Sequence, residues 1–239
     1  MDSTQRTARL AGLLYLLSSL PGAFALLYVP GKVIVKGDGA ATAERLRTYG
    51  GLVRTGIAAE LLSSILFVFV ALVLYRLFEP VSKGPALAMM VLILLSFPIS
   101  LAGVVNEVAA LNLAGAGDAG GFLSAVDTHE RDAMAYLFLR LHSQTIFVAE
   151  LFWGLWLFPF GVCVMRSGFI PRVLGVLLMV AGCSYVAVGF AELALPRSAQ
   201  AIGRVAGILT LAEVPIIFWL LIWGAKPQRT TAIGFRATE

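Results

Sequence analysis

Charged residues are scarce in this chain. Only 13% of its 239 residues are Asp, Glu, Lys or Arg, against roughly 25% in soluble domains. So few charges cannot clothe an ordinary water-facing surface, and most of the chain must face something apolar. Cysteine is nearly missing. Cys163 and Cys183 are the only two, they fall at different depths of successive apolar runs, and two thiols make no metal cage. Both read as packing residues, and no disulfide is expected. Histidine also occurs twice. No His-x-x-x-His or Cys-x-x-Cys spacing is present, so nothing in the spacing supports metal binding by His142 with Glu60 and Glu107. No phosphate loop, dinucleotide fingerprint or nucleophile elbow is present either. Neither a metal nor a cofactor is expected. The net charge is +4 and the pI about 9.3, yet the basic residues are scattered at the ends of apolar runs. That distribution argues against nucleic acid as a partner and for anionic lipid headgroups.

What the chain does have is apolar length. Hydrophobic residues make up 59% of it and mean hydropathy is +0.88. Six runs are long enough to cross a bilayer: about 10–29, 52–78, 85–113, 133–165, 172–195 and 203–225. The expected fold is all-α: a polytopic integral membrane bundle of six transmembrane helices forming one domain over 1–239. Pro30 and Gly31 should close the first span. Ala23-Phe24-Ala25 resembles a signal-peptide cleavage site, but the apolar run continues past it, so an uncleaved span is expected. In the first loop, Asp38 should cap a short helix from Ala40 to Tyr49. Its charges preclude a span and suit an interfacial helix or lid. Pro98 marks a candidate kink in the third span and Pro215 a candidate break in the sixth. Residues 114–121 read as a flexible loop, and Asp127 with Glu130 as a helix start. The fourth run is long enough to tilt or to project from the bilayer. A short echo of Arg-x-x-Gly at Arg9, Arg172 and Arg204 falls short of an internal repeat.

Six spans place both termini on one side. The 18 Lys and Arg residues divide evenly between the two sides, so their number does not orient the chain. The tight turns and both tails are basic with few acids, which points to cytoplasmic termini.

Polar residues interrupt the apolar runs at particular depths. Glu60, Glu107, Glu150, Glu192 and Glu213 all lie inside them, with Asn106, Arg140 and His142, and Arg54 lies near a span end. At 1.5 Å per residue, Glu60 falls about 12 Å below the side of the long loops, Glu107 about 9 Å, His142 about 14 Å and Glu213 about 15 Å. Glu192 is nearer the rim and Glu150 nearer the middle. Small residues share the helical faces of these acids. Gly56, Ser63 and Ser64 go with Glu60, and Ser96, Ser100 and Gly103 with Glu107. The same holds for Ser143, Gly154 and Gly161 with Glu150, for Gly182 and Gly189 with Glu192, and for Thr210 with Glu213. Ionisable groups in lipid are costly, so these faces should turn inward. The expected ligand-binding pocket is Glu60, Asn106, Glu107, Arg140, His142 and Glu213, with Arg54, Glu150 and Glu192 secondary.

The residues also resemble a family. FWGLWLFPFGVCVMRSGFIPRVLGVLL at 152–178, with its Arg-Ser-Gly-Phe-Ile-Pro-Arg turn, is similar to the hallmark stretch of a bacterial membrane family known as domain of unknown function 4386. RTARLAGLLYLL at 6–17, KGDGAATAERL at 36–46, RTGIAAELL at 54–62 and the pair Leu141-His142 resemble it too. The resemblance implies a bacterial multi-pass protein of the inner membrane. It brings no activity, substrate or cofactor, and Arg140 and Glu150 fall outside its pattern.

Three functions remain open to a chain of this kind. It could bind or move a small or amphiphilic molecule in the polar pocket. It could be an intramembrane enzyme using Glu60, Glu107 or Glu213 as acid or base. Or it could be a structural membrane component whose carboxylates pair with Arg54, Arg140 and His142. Every glutamate within salt-bridge distance of a base would favour the last, and acids left unpaired around a cavity the first two.

Overall fold

The computed structural model describes residues 3–115, 126–195 and 197–225, and these are helical with no strand among them. Six helical segments are long and apolar enough to cross a membrane: Ser3–Val33, Gly50–Phe78, Lys83–Leu113, Thr128–Ser167, Arg172–Ala194 and Ala199–Ile222. The loop expected at 114–121 lies mostly outside the described residues, as does the tail after Ala225.

The first span runs past its expected end. Helix α1 (Ser3–Ala23) passes through a π-helical turn at Phe24–Tyr28 into α2 (Val29–Val33). The amide of Val29 reaches back to the Phe24 carbonyl. That wide turn absorbs Pro30, which lacks an N–H and whose ring would clash with a regular turn. The chain leaves helix only at Ile34, where ψ turns extended.

Helix α3 (Gly39–Thr48) begins as its sequence predicts. The Asp38 carboxylate accepts from Ala41 N at 2.9 Å. Helices α4 (Gly50–Phe78) and α5 (Lys83–Leu113) form the second and third spans, and α5 continues unbroken through Pro98.

The fourth span has 40 residues, about 60 Å of helix, twice a hydrocarbon core of about 30 Å. It divides into α6 (Thr128–Leu155) and α7 (Leu157–Ser167). Pro159 explains the division, because it cannot donate to the carbonyl of Leu155. Asp127 caps α6 by accepting from His129 N. Gly168, in left-handed conformation at φ 68°, ends α7 and turns the chain into α8 (Arg172–Ala194). The sixth span starts four residues earlier than expected. It comprises α9 (Ala199–Leu209), a 3-10 turn at Thr210–Glu213 and α10 (Val214–Ile222), with Pro215 in the first turn of α10.

Each span packs on its sequence neighbours, and α10 returns to α1, closing a ring. The fourth and fifth spans touch along a seam of glycines. A Cβ on Gly154 would lie 2.7 Å from the Gly182 carbonyl oxygen, one on Gly161 2.7 Å from that of Gly175, and one on Gly189 2.7 Å from that of Phe147. The contacts step seven residues at a time, forward on one helix and backward on the other, as antiparallel helices in contact require.

The interior has three layers. On the side of the termini, Trp156, Phe160, Phe78, Leu74, Leu178 and Leu220 form the larger apolar core. On the side of the long loops, α3 contributes Leu46 to a smaller one with Val53, Ala110, Leu111, Ala135 and Leu139. Polar side chains lie between. Outside, Leu10, Leu13, Leu17, Leu20 and Leu27 are exposed along the first span, and Leu62, Ile65, Phe69 and Leu72 along the second. This continuous apolar exterior suits lipid.

Candidate functional site

Three helices deliver the middle layer. Helix α4 turns Gly56 and Glu60 inward, and α5 turns Ser96, Ser100, Gly103 and Glu107 inward. His142 enters from α6. Glu60, Glu107 and His142 are 3%, 6% and 5% exposed.

Gly103 lies against the histidine. A Cβ there would lie 3.4 Å from His142 Nδ1, and the Gly103 carbonyl is 3.0 Å from that same nitrogen. A carbonyl can only accept, so Nδ1–H donates to it. The other nitrogen, Nε2, faces Glu60 Oε2 at 3.9 Å, too far for a hydrogen bond. Glu107 lies one turn beyond Gly103 on α5. One ligating atom from each of the three side chains lies within 4.8 Å of the others. Glu60 Oε1 is buried without a hydrogen-bond partner. One turn further along α4, Ser63, Ser64, Ser96, Ser100 and Trp153 help line a cavity of about 40 Å³.

Helix α3 roofs this layer. Leu46 is fully buried above it, and Arg47 latches the helix down. Arg47 donates to Asp132 on α6, to the Ala114 carbonyl at 2.9 Å and to Glu44 at 3.1 Å. Tyr136 OH accepts from Gly37 N at 3.0 Å. Both Asp132 and Tyr136 belong to the overlong start of the fourth span.

The remaining sequence candidates lie elsewhere. Asn106 is half-buried and donates back to Ala102 O on its own helix at 3.1 Å. Arg140 is exposed, two residues from His142 and therefore on the far side of α6. Arg54 and Glu192 are exposed, and Glu150 is half-buried with Oε2 lacking a hydrogen-bond partner. Glu213 forms a second polar contact, accepting from Tyr15 OH between the first and sixth spans. The expected six-residue pocket is thus three residues at one place, with Glu213 at another.

Sequence reasoning missed Gly103 as a hydrogen-bond acceptor, Tyr15 as the partner of Glu213, and the Arg47–Asp132 latch. Gly103 stood on the predicted inward face, but its role depends on a histidine from another helix. The latch joins residues 85 positions apart, for which spacing carries no signal.

Six apolar helices closed around buried acids and a histidine define a multi-pass membrane protein. The chain belongs to the family described as Domain of unknown function (DUF4386), whose model matches residues 10–224. Neither a curated protein nor a solved structure matches it.

Proposed function

We propose that the protein binds a small polar ligand, of ion or water size, in the layer of Glu60, Glu107 and His142, and that α3 gates access from the side of the long loops. One observation carries this reading: three ligating side chains from three helices converge within 4.8 Å while Glu60 Oε1 has no partner. His142 Nε2 stands 3.9 Å from Glu60 Oε2, within ion-pair range but beyond a hydrogen bond, and Arg140 is on the opposite face of its helix. The cavity of about 40 Å³ one turn away, lined by Ser63, Ser96 and Ser100 rather than by the three ligating side chains, is far smaller than the pocket of about 300–1,000 Å³ that a larger amphiphile needs. Basic tight turns favour cytoplasmic termini in a bacterial inner membrane, so the gate would face outward.

Access tests the reading. Ser100→Cys, in a background with Cys163 and Cys183 replaced by alanine, should react in membranes with a small charged thiol reagent. Adding Arg47→Ala should speed the reaction severalfold. No reaction in either form would mean a sealed interior and would defeat the proposal.

A further inference from the structure

We propose that Glu60, Glu107 and His142 form a binding site for one divalent transition-metal ion, of the zinc and manganese type. The inference rests on the small-ligand reading above and names its ligand.

The geometry points to a metal on several grounds. The donor set, two carboxylates and one imidazole, suits borderline divalent ions. Its three members come from three helices with ligating atoms within 4.8 Å. Metal bonds of about 2.0–2.2 Å place ligand atoms about 3.0–4.2 Å apart, so closure requires shifts of about half an ångström. The histidine is prepared for the task. Its Nδ1–H is committed to the Gly103 carbonyl, which leaves the Nε2 lone pair facing Glu60 Oε2. A backbone carbonyl on the distal nitrogen is the usual way a metal-binding imidazole is oriented. His142 Nε2 and Glu60 Oε2 stand 3.9 Å apart, close enough for one ion to bond to both after a small approach. The unpartnered Glu60 Oε1 is a further buried acceptor beside the same centre.

Charge leads to the same conclusion. Two carboxylates and a divalent cation sum to neutrality, the cheapest condition for ionised groups in an apolar layer. Three protein donors leave positions on the ion for water. No local motif announces such a site, because each helix gives a separate part: Glu60 from α4, Glu107 from α5, His142 from α6. The expectation of no metal weighed these three residues and set them aside for want of a single-helix ligand spacing, a signal that a site assembled from three helices does not produce.

The test uses the full chain purified in detergent, stripped with a chelator and desalted, then offered Zn²⁺ or Co²⁺ alone. Wild type should retain one metal ion per chain, and Co²⁺ should give visible absorption bands of a nitrogen–oxygen site. Glu60→Gln, Glu107→Gln and His142→Gln should each bind about 10–100-fold more weakly. Glu150→Gln and Glu213→Gln should bind as wild type does. Zn²⁺ should raise the thermal midpoint of wild type but not of Glu107→Gln, so a variant that folds poorly does not decide the matter alone. If wild type retains no metal while Ser100→Cys is accessible, the metal assignment falls and the small-ligand reading stands. Equal retention by Glu60→Gln and Glu107→Gln would place the metal elsewhere and overturn the assignment. Loss of both metal retention and thiol access would remove both readings.

Discussion

Glu60 is 3% exposed with one carboxylate oxygen unpartnered. A buried acceptor in that state costs about 1–3 kcal/mol. A residue that opposes folding is the kind that a functional site keeps. Glu60→Gln, an isostere without the charge, is therefore expected to stabilise the metal-stripped protein by about 1 kcal/mol. Chelator-treated protein in detergent, followed by thermal unfolding, checks this; a lowered midpoint would mean that the carboxylate serves packing. Gly103 works in the opposite sense. A Cβ there would already touch His142 Nδ1 at 3.4 Å, and its carbonyl accepts from the ring at 3.0 Å. Gly103→Val, with two further methyl groups beside the imidazole, should displace the ring and weaken Zn²⁺ binding by about tenfold or more, measured by the same metal retention.

At the scale of elements, two contacts decide how the helices sit. The glycine seam brings the fourth and fifth spans to backbone contact. Gly154→Val and Gly182→Val each place a Cβ within 2.8 Å of a carbonyl oxygen, which only a backbone shift can relieve. Each should cost about 1–3 kcal/mol or more. Gly203, inside α9, has open space where a Cβ would stand, with nothing within 4 Å. Gly203→Ala should therefore stabilise by about 0.5–1 kcal/mol through helix propensity. Thermal midpoints of the three variants in one detergent separate steric from propensity effects. The second contact is the α3 latch. Arg47 bonds to Asp132 and to the Ala114 carbonyl, tying the roof to α6 and to the end of α5. Asp132→Asn weakens the charge but keeps the shape, so the thiol reaction at Ser100→Cys should quicken less than with Arg47→Ala.

For the whole molecule, six spans closed in a ring put Lys36 and Arg166 on opposite sides, both exposed. Cysteines placed singly at these positions should react with an impermeant thiol reagent from opposite sides of the membrane. Labelling of both from one side would contradict the span count, whichever way the chain is inserted. The layering has a mechanical consequence. The large apolar core on the side of the termini anchors the spans, while among the described residues a smaller cluster around Leu46 lies on the other side of the polar layer. Opening is therefore expected at α3.

Fold class and span count were legible in the sequence because lipid imposes one rule on every span: long apolar runs whose backbone bonds are made within the helix. Asp38 and Asp127 announced their helix starts because capping is local. The inward faces of α4 and α5 were legible because small residues recur at helical spacing beside an acid. Boundaries near proline were not. The first span passes Pro30, since a π turn accommodates the ring, and the fourth divides before Pro159. Depth and small-residue faces put Glu60, Glu107 and His142 in the expected pocket, but tertiary structure decided which of its six residues meet. Arg140 and His142 are two positions apart, yet rotation about α6 buries one and exposes the other. Glu60, Glu107 and His142 converge because the packing of three helices sets their rotation and depth together. The Gly103 carbonyl becomes a histidine's partner only through that packing, which no stretch of a single helix encodes.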